Sequence, residues 1–459
     1  MVATRRRLQE VGERERRDAP GHIVGTTGIM GMKRPVIVFG IVLAACVVRG
    51  ADAQLGEAAY EAAIRELAFR VQMREALALA PMLEADAVST LIELTEIPSP
   101  PFGEAERGRR FASLLREIGL VDVTTDEVGN VIARRPGVTG AQSVALVAHL
   151  DTVFPSGTDV TVRRRGGRLY APGIGDDTRG LVLLLNVARI LGQTGVRTRD
   201  DVVFIGSVGE EGIGDLRGVR YLLRPRGVQV DQFIAIDGGG DSRVVNQALG
   251  SRRYIVTVTG PGGHSWGDFG LGNPAHALAR AIYYFDEAAS VVVNEGMLAS
   301  YNVGRIGGGM SVNAVPQESW AEVDMRSVDA RRLERLETVL RRSVERSLNE
   351  QNRSRDRGAA LAADFELIGN RPSGTVDPST PLVARALAVT RFLGFQPQLG
   401  MASTDANLPI ARGIPAVTLG RGGQGGAAHS REEWWAPRDA HVGVQRALLL
   451  LVASAGLVD

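Results

Sequence analysis

Four short runs of apolar residues constrain the fold most: Ser143–Ala148 (SVALVA), Val202–Val208 (VVFIGSV), Phe233–Ile236 (FIAI) and Ala416–Leu419 (AVTL). Each has strand length and lacks the alternation of a half-exposed strand, as expected where both faces of a sheet are covered. Between the first two lies a longer apolar stretch, Leu181–Leu191, which reads as a buried helix. Glu57–Glu96 also has a helical pattern, with a break expected at Pro81. Strands alternating with helices predict an α/β fold, a mostly parallel sheet with helices on both faces. The middle of the chain differs. Arg253–Val258 and Ser319–Met325 alternate like half-exposed strands, and Val328–Leu348 is an amphipathic helix with Leu333, Leu336, Leu340 and Val344 on one face. This predicts a small α+β domain inserted at 249–366, so that the larger domain comprises residues 54–248 and 367–459. A chain of 459 residues with 44% hydrophobic content suits two packed domains. A formal net charge of +1 offers no field for nucleic acid or an anionic membrane.

Residues 1–53 read as an extension and a signal peptide. Met32-Lys33-Arg34 is a basic head, the stretch from Pro35 to Val48 carries no charge, and Ala51-Asp52-Ala53 is a small-x-small cleavage pattern. The apolar run is too short for a permanent membrane span. Export to the periplasm or the exterior is expected, with cleavage after Ala53 and translation starting at Met30 or Met32. Cys46 is the only cysteine, so the mature chain has no disulfide framework. Leu43-Ala44-Ala45-Cys46 is the rival signal, a lipoprotein box in which Cys46 would carry a lipid anchor; otherwise no membrane association is expected.

The residues just after each buried strand point to chemistry. SVALVA leads into His149-Leu150-Asp151, VVFIGSV into Glu210-Glu211, FIAI into Asp237 and AVTL into a glycine-rich loop and then His429, while Asp176-Asp177 precede the apolar helix. In open α/β sheets, sites form at the carboxyl ends of the strands. Taken singly, each motif has an ordinary explanation: Asp176 or Asp177 could cap a helix, and Asp237 could begin a turn. As a set they bring imidazoles and costly buried carboxylates to one sheet edge. Two histidines and three carboxylates suffice for two zinc ions if one carboxylate bridges, and such a pair holds a hydroxide and polarises a carbonyl.

In these motifs and their order, over roughly residues 85–459, the chain resembles the M20 metallopeptidases, the group of peptidase T, glutamate carboxypeptidase, acetylornithine deacetylase and aminoacylase-1. The resemblance implies a di-metal catalytic domain with an inserted dimerisation, or lid, domain. It implies that His149 and Asp237 bind one metal, Glu211 and His429 the other, and Asp176 both. Asp151 would orient His149, and Glu210 would be the general base. Gly260-Pro261-Gly262-Gly263-His264-Ser265 resembles the family's G-x-x-H-S loop, whose histidine stabilises the oxyanion, often across a dimer interface. Ser311–Pro316 resembles its N-x-x-P segment and Asp324-Met325-Arg326 its D-x-R strand, so Asn313 and Arg326 would hold the substrate carboxylate. Ser403-Thr404-Asp405 is similar to its G-T-D turn, and the Arg421–Gly426 loop could cradle a carboxylate with backbone amides. Thr178-Arg179 stand where many relatives have lysine before Gly180, and Ser265-Trp266-Gly267 after His264 also departs from the pattern.

The expected function is an exported di-zinc exopeptidase acting on short peptides by metal-bridged hydroxide attack, with two Zn2+ per subunit and Co2+ or Mn2+ as substitutes, working as a homodimer through the inserted domain. The alternative enzyme is an N-acyl amino acid deacylase with the same metals and another pocket. A non-catalytic binding protein would have lost the base or a ligand, whereas Glu210 and all five ligand positions are present. A nucleic-acid-binding role is opposed by the charge and by the acidic site.

Overall fold

The computed structural model describes residues 56–296 and 298–458. The signal-like segment, Cys46 and Ala53 lie outside the described residues.

The described chain begins with helices α1 (Glu57–Phe69), α2 (Val71–Met82), α3 (Glu84–Thr95) and α4 (Ala105–Glu117). Strands β1 (Asp122–Thr125), β2 (Val131–Arg135) and β3 (Ser143–His149) follow, then α5 (Gly180–Gln193), β4 (Asp201–Ser207), β5 (Gln232–Ile236) and β6 (Arg243–Ala248). The middle contains β7 (Gly250–Thr259), α6 (Pro274–Asn294), β8 (Ala299–Gly308), β9 (Glu318–Ser327), α7 (Ala330–Ser354) and β10 (Ala362–Arg371). The chain closes with β11 (Gly374–Thr375), α8 (Pro381–Phe392), β12 (Gln398–Ala402), β13 (Ala416–Leu419) and α9 (Ala440–Ala455).

The central sheet has the order β1-β2-β4-β3-β5-β13-β6-β11, with β12 also paired to β6. Its inner strands β4, β3, β5 and β13 are mutually parallel, while β1, β2 and β11 join antiparallel. Every residue of β3 and β4 is buried, the reason their sequences show no alternation. The apolar helix α5 is buried along its length and packs against β3.

The second sheet, β8-β9-β7-β10, is antiparallel. Its inner face rests on α6 and α7 through Tyr254, Val256, Phe285, Val323, Met325, Leu336 and Leu340. Strand β9 alternates buried and less buried residues along nearly its whole length, the period of a sheet with one covered face. Both helices start at side-chain caps, Asn273 accepting from Ala275 N and Asp329 from Arg331 N. The Asp329 cap is why α7 begins after Val328. The last strand of this sheet runs on to Arg371. The chain leaves the central sheet at Ala248 and re-enters at Gly374, and these two residues are paired. A Cβ on Gly250 would lie 2.3 Å from Ser373 Oγ, so glycine permits the two crossings to run side by side.

The N-terminal helical stretch differs from expectation. It breaks at Arg70 and Leu83, and Pro81 sits within the last turn of α2. Arg70 is extended, with φ −59° and ψ 141°, which no proline or glycine signals.

Candidate active site

The carboxyl ends of the four parallel strands converge with the loop that precedes α5. His149 is the last residue of β3, 2% exposed. Its Nδ1 lies 2.9 Å from the Asp151 carbonyl oxygen and 3.6 Å from Asp151 Oδ1. The Asp151 carboxylate accepts hydrogen bonds from the backbone N–H of Glu210 (3.0 Å) and Glu211 (2.8 Å), fixing the turn after β4. Asp151 therefore touches both the histidine and the paired glutamates from below, as expected of an orienting carboxylate.

Asp176 lies between the two histidines. Its Oδ1 is 3.3 Å from His149 Nε2 and its Oδ2 is 3.2 Å from His429 Nε2. His429 Nε2 is also 2.9 Å from Glu211 Oε1. Two donor groups share this carboxylate, His149 with Asp176 and Asp237, and Asp176 with Glu211 and His429. Five predicted ligand residues thus meet in one place, from five segments of the chain. His149 also forms a group with Glu210 and Glu211.

The electrostatics mark an excess of negative charge. Burial and the neighbouring Asp176 push the Asp237 carboxyl up to about 7. Burial raises Asp177 well above the carboxylate range, and its Oδ1 has no hydrogen-bond partner. Burial opposes ionisation of Asp176 too, but Arg421 and the two histidines outweigh it and hold the group well below its ordinary value. Hydrogen bonds that His429 donates to the Asp176 and Glu211 carboxylates push its imidazole up to about 10. A cluster that draws protons this strongly is one in which cations would replace them. Imidazole nitrogens and carboxylate oxygens in two groups sharing Asp176 fit a pair of divalent cations.

Glu210 is buried beside this cluster, and burial raises its carboxyl well above the usual range. Arg371 opposes that shift. Its Nη1 donates to Glu210 Oε1 at 2.8 Å and to Ser403 Oγ at 3.0 Å, and its Nη2 donates to the Glu210 carbonyl oxygen. Glu210 thus meets an arginine from the last residue of the second sheet, which no motif in the sequence marks.

Other supports also escaped the sequence. The expectation for the Arg421–Gly426 loop concerned its backbone amides, but it is the Arg421 side chain that enters the cluster. Its Nη1 lies 3.2 Å from Asp176, 3.7 Å from Asp237 and 3.8 Å from Asp177. Glu433, fully buried, accepts from the backbone N–H of Gly173 (2.9 Å), Gly175 (2.9 Å) and Asp176 (2.8 Å), and so shapes the loop that carries Asp176. Arg179, where many relatives of similar motif have lysine, is buried outside the cluster. It pairs with Glu84 at 3.0 Å, lies over Trp435, and donates to the Arg421 and Ala440 carbonyl oxygens. Asp405 lies behind the cluster, its carboxylate accepting from Ser207 Oγ.

The cluster opens into a cleft of about 480 Å³ between the two sheets, lined by Asp176, Glu210, Glu211, Asp237 and His429 on one side and by Arg253, Arg326 and Arg371 on the other. Of the remaining predicted residues, Arg326 lines this cleft, while His264 and Asn313 are not among its lining residues. Those two lie together on an exposed tip of the second unit, where β-pairing joins Gly263-His264 to Ala314-Val315 and Ser265 N donates to the Asn313 carbonyl oxygen at 2.9 Å.

Known proteins of similar fold carry this architecture. The structure of aminopeptidase PepT from Bacillus cereus superposes with a TM-score of 0.67 at 21% identity, covering 81% of this chain and 98% of that one. A tripeptidase from Staphylococcus aureus superposes with a TM-score of 0.68, also at 21% identity, over 81% of this chain and 99% of that one. Both likenesses concern the fold. In sequence, the chain is 25% identical over 172 residues to carboxypeptidase G2 of Pseudomonas sp., a stretch that spans 36% of this chain and 41% of that protein's length. The match to a family model runs over residues 145–453, from inside the strand that delivers His149 to the helix after His429, and the chain belongs to peptidase family M20/M25/M40.

Proposed function

We propose that this metallohydrolase is an exported di-zinc exopeptidase that removes a terminal residue from short peptides. One observation carries the reading: a single carboxylate, Asp176, presents its two oxygens to two histidines on opposite sides, each within a group of metal-type donors. Asp176 would bridge two cations, with His149 and Asp237 completing one set and Glu211 and His429 the other. When bound, the cations would polarise the scissile carbonyl and lower the pKa of a water.

The chain's own residues do the rest. Glu210 takes a proton from the attacking water as the C–O bond forms, and passes it to the amide nitrogen as the C–N bond breaks. Burial makes Glu210 hold that proton more strongly than an exposed glutamate would. Arg371 holds the Glu210 carboxylate toward the cleft. Arg326, lining the same cleft, takes a substrate carboxylate. Asp151 keeps His149 oriented.

His264 and Asn313 are proposed to serve a partner's site. They sit on an exposed tip with Trp266 (87% exposed) and Phe269 (83%) in the same loop, the placement expected if the second unit mediates a homodimer and caps the neighbouring cleft. Export rests on the signal-like segment ahead of Gln54.

Metal-loaded protein assayed against di- and tripeptides and against N-acetyl amino acids tests the substrate class. Faster turnover of peptides is expected. Faster turnover of the acyl substrates would assign the chain to the deacylases instead.

A further inference from the structure

Arg179 ends the loop that carries Asp176, yet it is fully buried and lines no part of the cleft. Its one acidic partner among the described residues is Glu84, at the start of α3 and well ahead of the residues matched by the family model. Helix α3 packs against the loop Ile174–Arg179, and α2, with Met73, Ala76 and Ala80 buried, packs against α5 and α9. The ion pair itself is costly. Arg179 Nη1 and Glu84 Oε2 are buried with no hydrogen-bond partner among the described residues. A buried ion pair is commonly no more stabilising than apolar side chains of the same volume. Stability alone does not account for it.

The other contacts of Arg179 converge on one turn. Its Nε donates to the Arg421 carbonyl oxygen and its Nη2 to the Ala440 carbonyl oxygen, both at 3.3 Å. The first fixes the backbone from which Arg421 reaches Asp176, Asp177 and Asp237. The second lies against Gly422, where an added Cβ would come within 2.5 Å of the Ala440 oxygen. The guanidinium also lies over Trp435, 4.9 Å from the ring centroid, and Trp435 Nε1 donates to the Gly422 carbonyl oxygen at 3.0 Å. Two residues before Trp435, Glu433 accepts from the N–H groups of Gly173, Gly175 and Asp176. We propose that Arg179 is a positioning residue for the metal centre. Braced by Glu84, it holds the Arg421–Gly422 turn and Trp435 against the loop that carries Asp176, so that the ligands are in place before a cation arrives. Helix α3, which no site motif touches, thereby helps to set metal affinity. The inference rests on the two-cation reading proposed above.

The test separates packing from positioning. In Arg179→Met combined with Glu84→Leu, the ion pair becomes two apolar side chains of similar size. The metal-stripped double variant is expected to melt near the wild type, because no charge is left buried alone. Its affinity for zinc, measured on the full-length protein by competition with a chromogenic chelator, is expected to be about ten- to a hundred-fold weaker, the cost of losing a support behind a metal ligand. Gln445→Ala removes the hydrogen bond from Gln445 Nε2 to the Leu77 carbonyl oxygen, which also joins α2 to α9 but in which Arg179 has no part. It should leave zinc affinity unchanged. Glu84→Gln keeps the shape, removes the charge and should weaken zinc binding in the same direction; it decides the matter if the double variant does not fold. Wild-type or tighter zinc affinity in the deciding variant overturns the inference and leaves the pair a matter of packing. An equal loss in Gln445→Ala overturns it as well, since any loosening of the helices would then suffice. A wild type that takes up no zinc would sink it together with the two-cation reading, whereas two ions held equally well by every variant would sink this inference alone.

Discussion

Arg421 changes how the metal centre is understood at the scale of single residues. Asp176, Asp177 and Asp237 are crowded together at the floor of the cleft, and one guanidinium stands among them. Without bound cations it is their nearest fixed positive charge; with cations bound its share falls. Arg421→Met is therefore expected to destabilise the metal-free protein by about 3 kcal/mol, the scale of unpairing a buried charge, seen as a drop in Tm of roughly 5 °C. The metal-loaded variant should lose far less. Equal losses with and without chelator would mean that Arg421 only packs. His429→Ala, by contrast, should lose bound metal, measured by elemental analysis, because its Nε2 faces both Asp176 and Glu211. The five residues of the cluster were legible in the sequence because each follows a buried strand or precedes a buried helix, where charge needs a reason. Arg421, Arg371 and Glu433 were not. Each reaches the site through its side chain from a segment whose local pattern is a loop or a strand end, and only tertiary packing decides where a long side chain points.

At the scale of elements, the four parallel strands emerged within a residue or so of where their apolar runs lie, since a strand buried on both faces tolerates no polar interruption. The helical stretch at the N-terminus was read less well, because Arg70 turns the chain without a residue that announces a turn. Strand β10 carries Arg371 across the crossing between the sheets, so the unit of β7–β10 holds one end of the Glu210 ion pair while the central sheet holds the other. On the role proposed for Glu210, the second sheet would serve the chemistry, although His264 does not line the cleft. His264→Ala is expected to lower kcat by about a hundred- to a thousand-fold, the cost of one oxyanion donor, with metal content and folding intact. Mixing inactive His264→Ala with inactive Glu210→Gln should restore part of the activity, because one site of a mixed dimer then has both residues. No recovery in a verified mixed dimer would place His264 outside the partner's site.

For the whole molecule, the fold and family rest on the same feature that opened the sequence: buried parallel strands deliver their final residues to one edge, and a second sheet inserted between Ala248 and Gly374 walls the cleft. The proposed export would place the enzyme in a compartment in which short peptides are met as nutrients. Mass spectrometry of the mature N-terminus is expected to find Gln54 first; a chain beginning at a lipid-modified Cys46 would make the protein an anchored one. The central claim, that bound cations and Glu210 together hydrolyse an amide, is tested most directly by titrating metal-stripped wild-type and Glu210→Gln proteins with zinc while tracking bound metal and peptide hydrolysis together. Both proteins should take up two equivalents, with activity returning only in the wild type. Full activity in the metal-stripped wild type, or wild-type turnover by Glu210→Gln, would contradict it.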